Sequence, residues 1–349
     1  MEKQFENIFR DKKILVTGGT GCIGSEIVKN LLKYKPKVVR VFSNDEDNTF
    51  RLSQEFRDGR TRFLIGDVRD KERLIVSMED IDIVYHAAAL KHVPLCEYNP
   101  FEAIKTNVLG TQNVIEAALT AGVKKVINIS TDKAVNPTNT MGATKLLAEK
   151  LIIDANFYKG GHKTIFSSVR FGNVLFSRGS VIPLFEEQIK RKKMITVTDP
   201  EMTRFMMSIE NTIDLVFKAT LMAEGGEIFI LKMPVLKIKD LADEVVEKYS
   251  KKYDYTKRDI KKKIIGPRPG EKLFEELMTE TEAQKAFETK DMFIIPPNEQ
   301  ISGGKLKILN RKDVKKSKLK RYISKDEKVL SKKEIRCLLD NTEKKIETT

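Results

Sequence analysis

Between residues 13 and 173 the chain alternates short apolar runs with helix-forming stretches, and few folds accept that rhythm. The runs are KILVT (13–17), VVRVF (38–42), TRFLIGD (61–67), DIVYHAAA (82–89), VKKVINIS (123–130) and KTIFSSVRFGN (163–173). Stretches such as EIVKNLLKY and FEAIKTNVLGTQNVIEAALTAG lie between them. Short, nearly continuous apolar runs are how strands covered on both faces read. Helical crossovers are what consecutive parallel strands need. The expectation is therefore an α/β protein with a doubly wound parallel sheet.

The turn after the first run says what the sheet would carry. TGGTGCIGS (17–25) sets Gly18, Gly21 and Gly24, with Thr20, Cys22 and Ile23, between strand and helix. Glycines there permit a tight turn and close backbone approach, and the helix N-terminus offers N–H groups to a pyrophosphate. This predicts a Rossmann dinucleotide site. The second strand ends in Ser43 and Asn44, with the acid displaced to Asp45. A hydroxyl and an amide tolerate a 2′-phosphate, and Arg40 and Arg51 are near in sequence, so the reading leans to NADP over NAD. Asp67 and Val68 would border the adenine. The small Ala87, Ala88 and Ala89 would let the fourth strand pass close to the dinucleotide.

After residue 173 the rhythm breaks into turns, short β-like pieces and further helices. Residues 8–173 and 206–235 are expected to form the dinucleotide-binding domain. Residues 174–205 and 236–290 would form a smaller interleaved substrate lobe, and 291–349 a basic C-terminal segment. The formal charge is +14, and residues 301–349 hold 16 Lys/Arg against 7 Asp/Glu. No nucleic-acid-binding motif accompanies that excess, so the tail reads as a solvated face and no nucleic-acid partner is expected. Three scattered cysteines give neither disulfide framework nor metal spacing. No apolar run approaches the ~18–20 residues of a membrane span. MEKQFENIFRDKK is charged where a signal peptide is apolar. A cytoplasmic protein without metal or membrane span is expected.

The most informative stretch for function is STDKAVNPTNTMGATK (130–145), at the end of a buried strand. Ligands of doubly wound sheets bind at that end of the strands. The amine of Lys133 and the carboxylate of Asp132 lie side by side there, which suits proton removal and delivery. Lys133 is expected to act as a base through a pKa lowered by burial. Asn173, Arg178, Arg204, Arg268 and Glu271 are polar or charged positions on successive loops of the smaller lobe, and a guanidinium fork suits bidentate anion binding. His86 ends a strand and reads as a core histidine.

Several motifs together carry a family resemblance: GGTGCIGSE, GDVRD, YHAAALKHVPLCEYNPFEAIKTNVLGTQNVIEAA, STDKAVNPTNTMGATK, VRFGNVLFSRGSVIPLF, TDPEMTRFMM and RPGEKLFEELMTE. From about residue 8 to 295 the chain resembles the UDP-N-acetylglucosamine 4,6-dehydratases, extended short-chain dehydrogenases of flagellin glycosylation and capsule synthesis. The resemblance implies a redox-neutral cycle. Bound nicotinamide takes hydride from C4 of the sugar, a proton leaves C5, water leaves C6, and the hydride returns to C6. Lys133 would take the C5 proton and Asp132 would protonate the departing hydroxyl. Thr131 would hydrogen-bond the 4-hydroxyl and Lys145 the nicotinamide ribose. Asn107 would support the active-site strand from the cofactor side, and Lys91 and His92 would face the nicotinamide end and the substrate.

Two positions depart from the pattern. Met141 stands where many members have the catalytic Tyr, and Phe274 where the family's usual His stands. The base for C4 oxidation stays open between Asp132, a water held by Lys145 and a residue from elsewhere, and the C5 configuration stays open too. Two other readings are a nucleotide-sugar epimerase or reductase, which needs the Tyr, and a non-catalytic NAD(P)-sensing regulator, in which acid/base residues would be degraded. The expected partners are UDP-N-acetylglucosamine and further copies of the chain.

Overall fold

In the computed structural model, which describes residues 2–177, 179–298 and 306–347, the expected rhythm is realised. The first six strands are β1 (Lys13–Thr17), β2 (Val38–Ser43), β3 (Thr61–Ile65), β4 (Ile83–His86), β5 (Lys125–Thr131) and β6 (Ile165–Phe171). The chain continues through β7 (Asn173–Val174), β8 (Met194–Val197), β9 (Thr203–Met207), β10 (Ile228–Leu231), β11 (Val235–Lys237) and β12 (Lys261–Ile264). Last come β13 (Glu276–Met278), β14 (Phe287–Glu288), β15 (Met292–Ile295), β16 (Lys315–Lys316) and β17 (Tyr322–Ile323). Among the described residues, ten of these build one sheet in the order β16-β14-β15-β10-β6-β5-β4-β1-β2-β3. From β3 across to β10 the pairings are parallel, and β15, β14 and β16 add an antiparallel edge. The order reverses between β1 and β4, and the crevice at that switch point is where such sheets take a ligand.

Alternate residues of each strand supply the two faces of the sheet. Ile14 and Val16 face one core with Val41, Tyr85, Ile127 and Val169; Leu15 faces the other with Val84, Val126 and Phe166. The first face is closed by the helices Glu2–Phe9 and Ile209–Met222. There the Phe217 ring packs against the rings of Phe5, Phe9, Tyr34 and Tyr85. Truncating such a side chain leaves a cavity costing ~3–5 kcal/mol.

A second core fills the smaller lobe. Leu175, Ile182, Phe185 and Ile195 pack there with Leu241, Val245 and Tyr249 of the Ile238–Lys252 helix. Ile335 and Leu339 of the terminal helix Lys332–Glu347 are buried in the same core. The 291–349 segment, expected to be an appended solvated tail, is thus woven into both halves. β15 lies between β10 and β14, and Tyr322 Oη accepts from Met233 N at 3.0 Å. Ion pairs in both directions tie the segment to the smaller lobe. Arg336 bonds Glu244, Lys332 pairs with Asp243, and Lys248 pairs with Asp340 and Glu343.

Candidate active site

The glycine turn forms a cradle at the crevice. Gly18 has φ +63°, and a Cβ there would stand 2.7 Å from Ala88 Cα. A Cβ on Gly24 would stand 2.2 Å from Gly18 O, so the first helical turn sits directly on the glycine loop. No side chain caps the Cys22–Leu32 helix at Gly21. An uncapped helix N-terminus behind a glycine loop fits an anionic dinucleotide bridge. Thr20 and Ser43 share a hydrogen bond of 2.7 Å, and Asn44 donates to Asp67 at 3.0 Å, which joins the tips of β2 and β3. Asp45 caps the next helix by accepting from Asn48 N. Arg40 donates to the carbonyls of Ser77 and Glu79, and Arg51 pairs with Glu55, so the two arginines weighed toward a 2′-phosphate are engaged elsewhere.

Past β4, a π-helical turn (Ile104–Leu109) presents Asn107 inward. Its oxygen accepts from Leu90 N at 2.8 Å, and its amide nitrogen donates to Leu90 O at 3.0 Å and Thr144 Oγ1 at 2.9 Å. The amide assigned to the cofactor side is therefore a brace. It holds the loop leading to Lys91 and His92 against the Thr140–Tyr158 helix. His86 is a satisfied core histidine, bonded to Thr17 at 2.8 Å and Thr111 at 3.0 Å. Burial, with the Lys145 charge adding, pushes its pKa down to about 3.

The Thr140–Tyr158 helix starts hard against the active-site strand. A Cβ on Gly142 would meet Lys133 O at 2.3 Å. Three residues on, buried Lys145 donates from Nζ to Ile129 O at 2.7 Å. Burial, partly offset by Glu149, lowers its pKa to about 8. Met141 is 3% exposed and packs with Cys96 and Ala103. It offers no proton-carrying group.

Beyond Thr131 the chain makes one 3₁₀ turn, Asp132–Ala134. Asp132, 3% exposed, accepts from Thr131 Oγ1 at 2.8 Å and from Lys133 Nζ at 3.0 Å. Glu275, 5% exposed, stands 3.9 Å from the same Nζ. Burial alone would lower the Lys133 pKa, but the Asp132 and Glu275 carboxylates outweigh it and hold the amine above its ordinary value. The expected burial-neutralised lysine is therefore corrected: Lys133 rests as an ammonium. These groups floor a cavity of about 340 Å³ that Lys91, His92, Asn173, Arg204, Arg268 and Glu271 also line.

Comparison with known proteins places the chain among characterised families. Residues 14–297 match the model of a family described as polysaccharide biosynthesis protein. A UDP-N-acetylglucosamine 4,6-dehydratase (inverting) from Campylobacter jejuni is 46% identical over 83% of this chain and 84% of its own length. The chain belongs to the UDP-N-acetylglucosamine 4,6-dehydratase family. An uncharacterized membrane protein of Methanocaldococcus jannaschii is 56% identical over 97% of this chain and 98% of that one. In the present chain, no helix among the described residues is long and apolar enough to cross a membrane. A relative in Rickettsia rickettsii named UDP-glucose 4-epimerase is 42% identical over 83% of this chain and 84% of its own. The X-ray structure of Pen from Bacillus thuringiensis superposes with a TM-score of 0.89 at 50% identity, covering 96% of this chain and 98% of that one.

Of the residues singled out from the sequence, Lys91, His92, Asp132, Lys133, Asn173, Arg204, Arg268 and Glu271 line the cavity, and the glycine turn is not part of its lining. Arg178 lies outside the described residues. Arg204 reaches the cavity already tied to Glu271 at 3.3 Å and Glu275 at 3.4 Å, while Arg268 is exposed at the rim. Asn173 bonds Glu275 at 2.7 Å and Phe205 O at 3.0 Å. Two features went unread. One is Glu275, which nothing local distinguishes from its half-buried neighbour Glu276. The other is buried Arg170, which bonds Glu149, Glu282 and Leu277 O behind the site. Its two carboxylates outweigh burial and hold it charged.

Proposed function

We propose that the chain converts UDP-N-acetylglucosamine to its 4-keto-6-deoxy derivative. The observation that carries this is the Asp132–Lys133 pair, 3.0 Å apart at the mouth of β5 and on the floor of the cavity. A reaction that only moved a hydride at C4 would need one proton acceptor, and this site holds an acid and an amine.

Gly18, Gly21, Gly24 and the N-terminus of the Cys22–Leu32 helix would hold the dinucleotide, with Ser43, Asn44 and Asp67 toward the adenosine and Lys145 toward the nicotinamide ribose. Bound nicotinamide supplies one thing, the hydride acceptor for C4 that later serves C6. Ser43 and Asn44 would admit a 2′-phosphate, whereas Arg40 is bonded to the Ser77 and Glu79 carbonyls, so identifying the cofactor that copurifies decides between NAD and NADP. Asp132, the carboxylate bonded to Thr131, takes the C4 hydroxyl proton in place of the missing Tyr. Lys133, once freed of its resting proton, takes the proton from C5, which the neighbouring ketone acidifies. Asp132 then returns its proton to the C6 hydroxyl, which leaves as water. After hydride reaches C6, Lys133 reprotonates C5. The proton count closes, and no external cofactor is consumed. Arg268 and Lys91 at the rim face the diphosphate.

The epimerase reading shares the C4 step, but leaves Asp132 beside Lys133 without work at C5 and C6. Incubating the purified protein with UDP-N-acetylglucosamine alone and following it by proton NMR tests the choice. A C6 methyl signal beside a C4 ketone is expected, and the C5 coupling reads the configuration. A product that keeps its C6 hydroxyl, or stoichiometric consumption of added NAD(P), overturns the dehydratase.

A further inference from the structure

An amine that takes a proton from carbon must first lose its own. The surroundings of Lys133 make that loss the difficult point of the reaction proposed above, on which this inference rests. Its Nζ lies between carboxylates from two distant parts of the chain, Asp132 at 3.0 Å and Glu275 at 3.9 Å. The other charged groups around it are Arg204 of β9, which faces Glu275 at 3.4 Å, and Lys272, which donates to Val135 O at 2.8 Å. When Asp132 has taken the C4 hydroxyl proton, the nearer of the two charges that hold the ammonium is gone. Asp132 is then full and cannot take a second proton. Glu275 is the carboxylate left.

Glu275 is built for that part. Its carboxylate is fixed by Phe205 N at 2.9 Å and by the Asn173 amide at 2.7 Å, so it does not swing out to solvent. Its own backbone N–H is held by Ser324 Oγ at 2.9 Å. We propose that Glu275 is a positioning residue for the C5 step, receiving the Lys133 proton so that the lysine meets C5 as a free amine. An N–H bond of the ammonium breaks and an O–H bond forms on Glu275; no electrons leave the site. The free amine takes the C5 proton and later gives it back. Glu275 then returns the stored proton to Lys133, which restores the starting charges. In the resting site burial, with the Asp132 charge adding, pushes the Glu275 carboxyl up to about 7, and the burial remains once Asp132 is protonated.

The test uses Glu275→Gln and Glu275→Asp in the cofactor-loaded full chain with UDP-N-acetylglucosamine. Gln keeps an oxygen for Phe205 N–H but takes no proton. Turnover of Glu275→Gln is expected to fall ~10²-fold with KM within about threefold of wild type, and Glu275→Asp to recover most of it. On mixing in deuterated water, Glu275→Gln should accumulate reduced nicotinamide and a 4-keto sugar that keeps its C5 proton. Turnover within about threefold of wild type overturns the proposal. So does a loss of C4 oxidation as large as the loss of turnover, because that means the carboxylate only supports the site. If wild type itself forms no keto sugar, the dehydratase reading fails instead.

Discussion

The Asn107 amide donates to the Thr144 hydroxyl across 2.9 Å while its other contacts hold both backbone polar groups of Leu90. One side chain therefore ties the π-helical turn, the loop before Lys91 and the helix that carries Lys145. Asn107→Ala should leave Leu90 N–H and C=O without these partners, at ~1–3 kcal/mol. The urea midpoint should fall accordingly, and a variant as stable as wild type would mean the loop is held by other contacts.

Asp132→Asn and Lys133→Ala should both fold and retain cofactor, because neither side chain belongs to an apolar core. Each should lose dehydration by ~10²-fold or more. Asp132→Asn should also slow C4 oxidation, whereas Lys133→Ala should stop after it. Stopped-flow absorbance of the reduced nicotinamide separates the two, and identical traces would remove the division of labour.

Gly24→Val places a side chain where even a Cβ stands 2.2 Å from Gly18 O. The expected result is protein that purifies without copurifying nicotinamide, seen as loss of its absorbance after denaturing extraction. Full occupancy would show that the cradle lies elsewhere.

Lys145 has a folded-state pKa of about 8, below its ordinary 10.5, because burial opposes its charge. Between those values the unfolded chain binds more protons than the folded one. This group therefore makes stability rise with pH across that window, and costs stability below it. Lys145→Met should gain on wild type near neutral pH, and the gap should narrow by on the order of 1–3 kcal/mol as pH rises toward 10. Urea midpoints of both proteins across that range give the answer. A gap independent of pH would mean that Lys145 titrates normally.

Removing residues 301–349 should damage the substrate lobe, since it strips Ile335 and Leu339 from its core and Tyr322 from Met233. Dye binding to exposed apolar surface should rise, and binding of UDP-sugar should fall. A truncated chain that keeps both properties would show that the lobe stands without these residues.

The parallel half of the fold was legible because its information is local. Continuous apolar runs mark buried strands, and TGGTGCIGS marks the turn between strand and helix. The same holds for Asp132 and Lys133, which are adjacent in sequence and sit at a strand end. What escaped was carried by distance along the chain. Glu275 reaches Lys133 only because β9 and β13 bring it there, and its neighbours in sequence do not announce it. The charge of Lys133 escaped for the same reason, since burial was foreseen but the second carboxylate was not. The tail escaped because its lysines were counted without their partners, Asp243 and Glu244, on a helix about ninety residues away.

The terminal helix also sets an order of assembly. A ribosome that has synthesised this protein as far as residue 298 has made every catalytic side chain and the whole parallel sheet. The lobe that receives the sugar still lacks part of its interior at that moment. The nucleotide half then has its parallel strands and glycine cradle but lacks β16, Ile308 and Tyr322, while the other half waits for its share of the same segment. The interior of the substrate side closes only once Ile335 and Leu339 have been made.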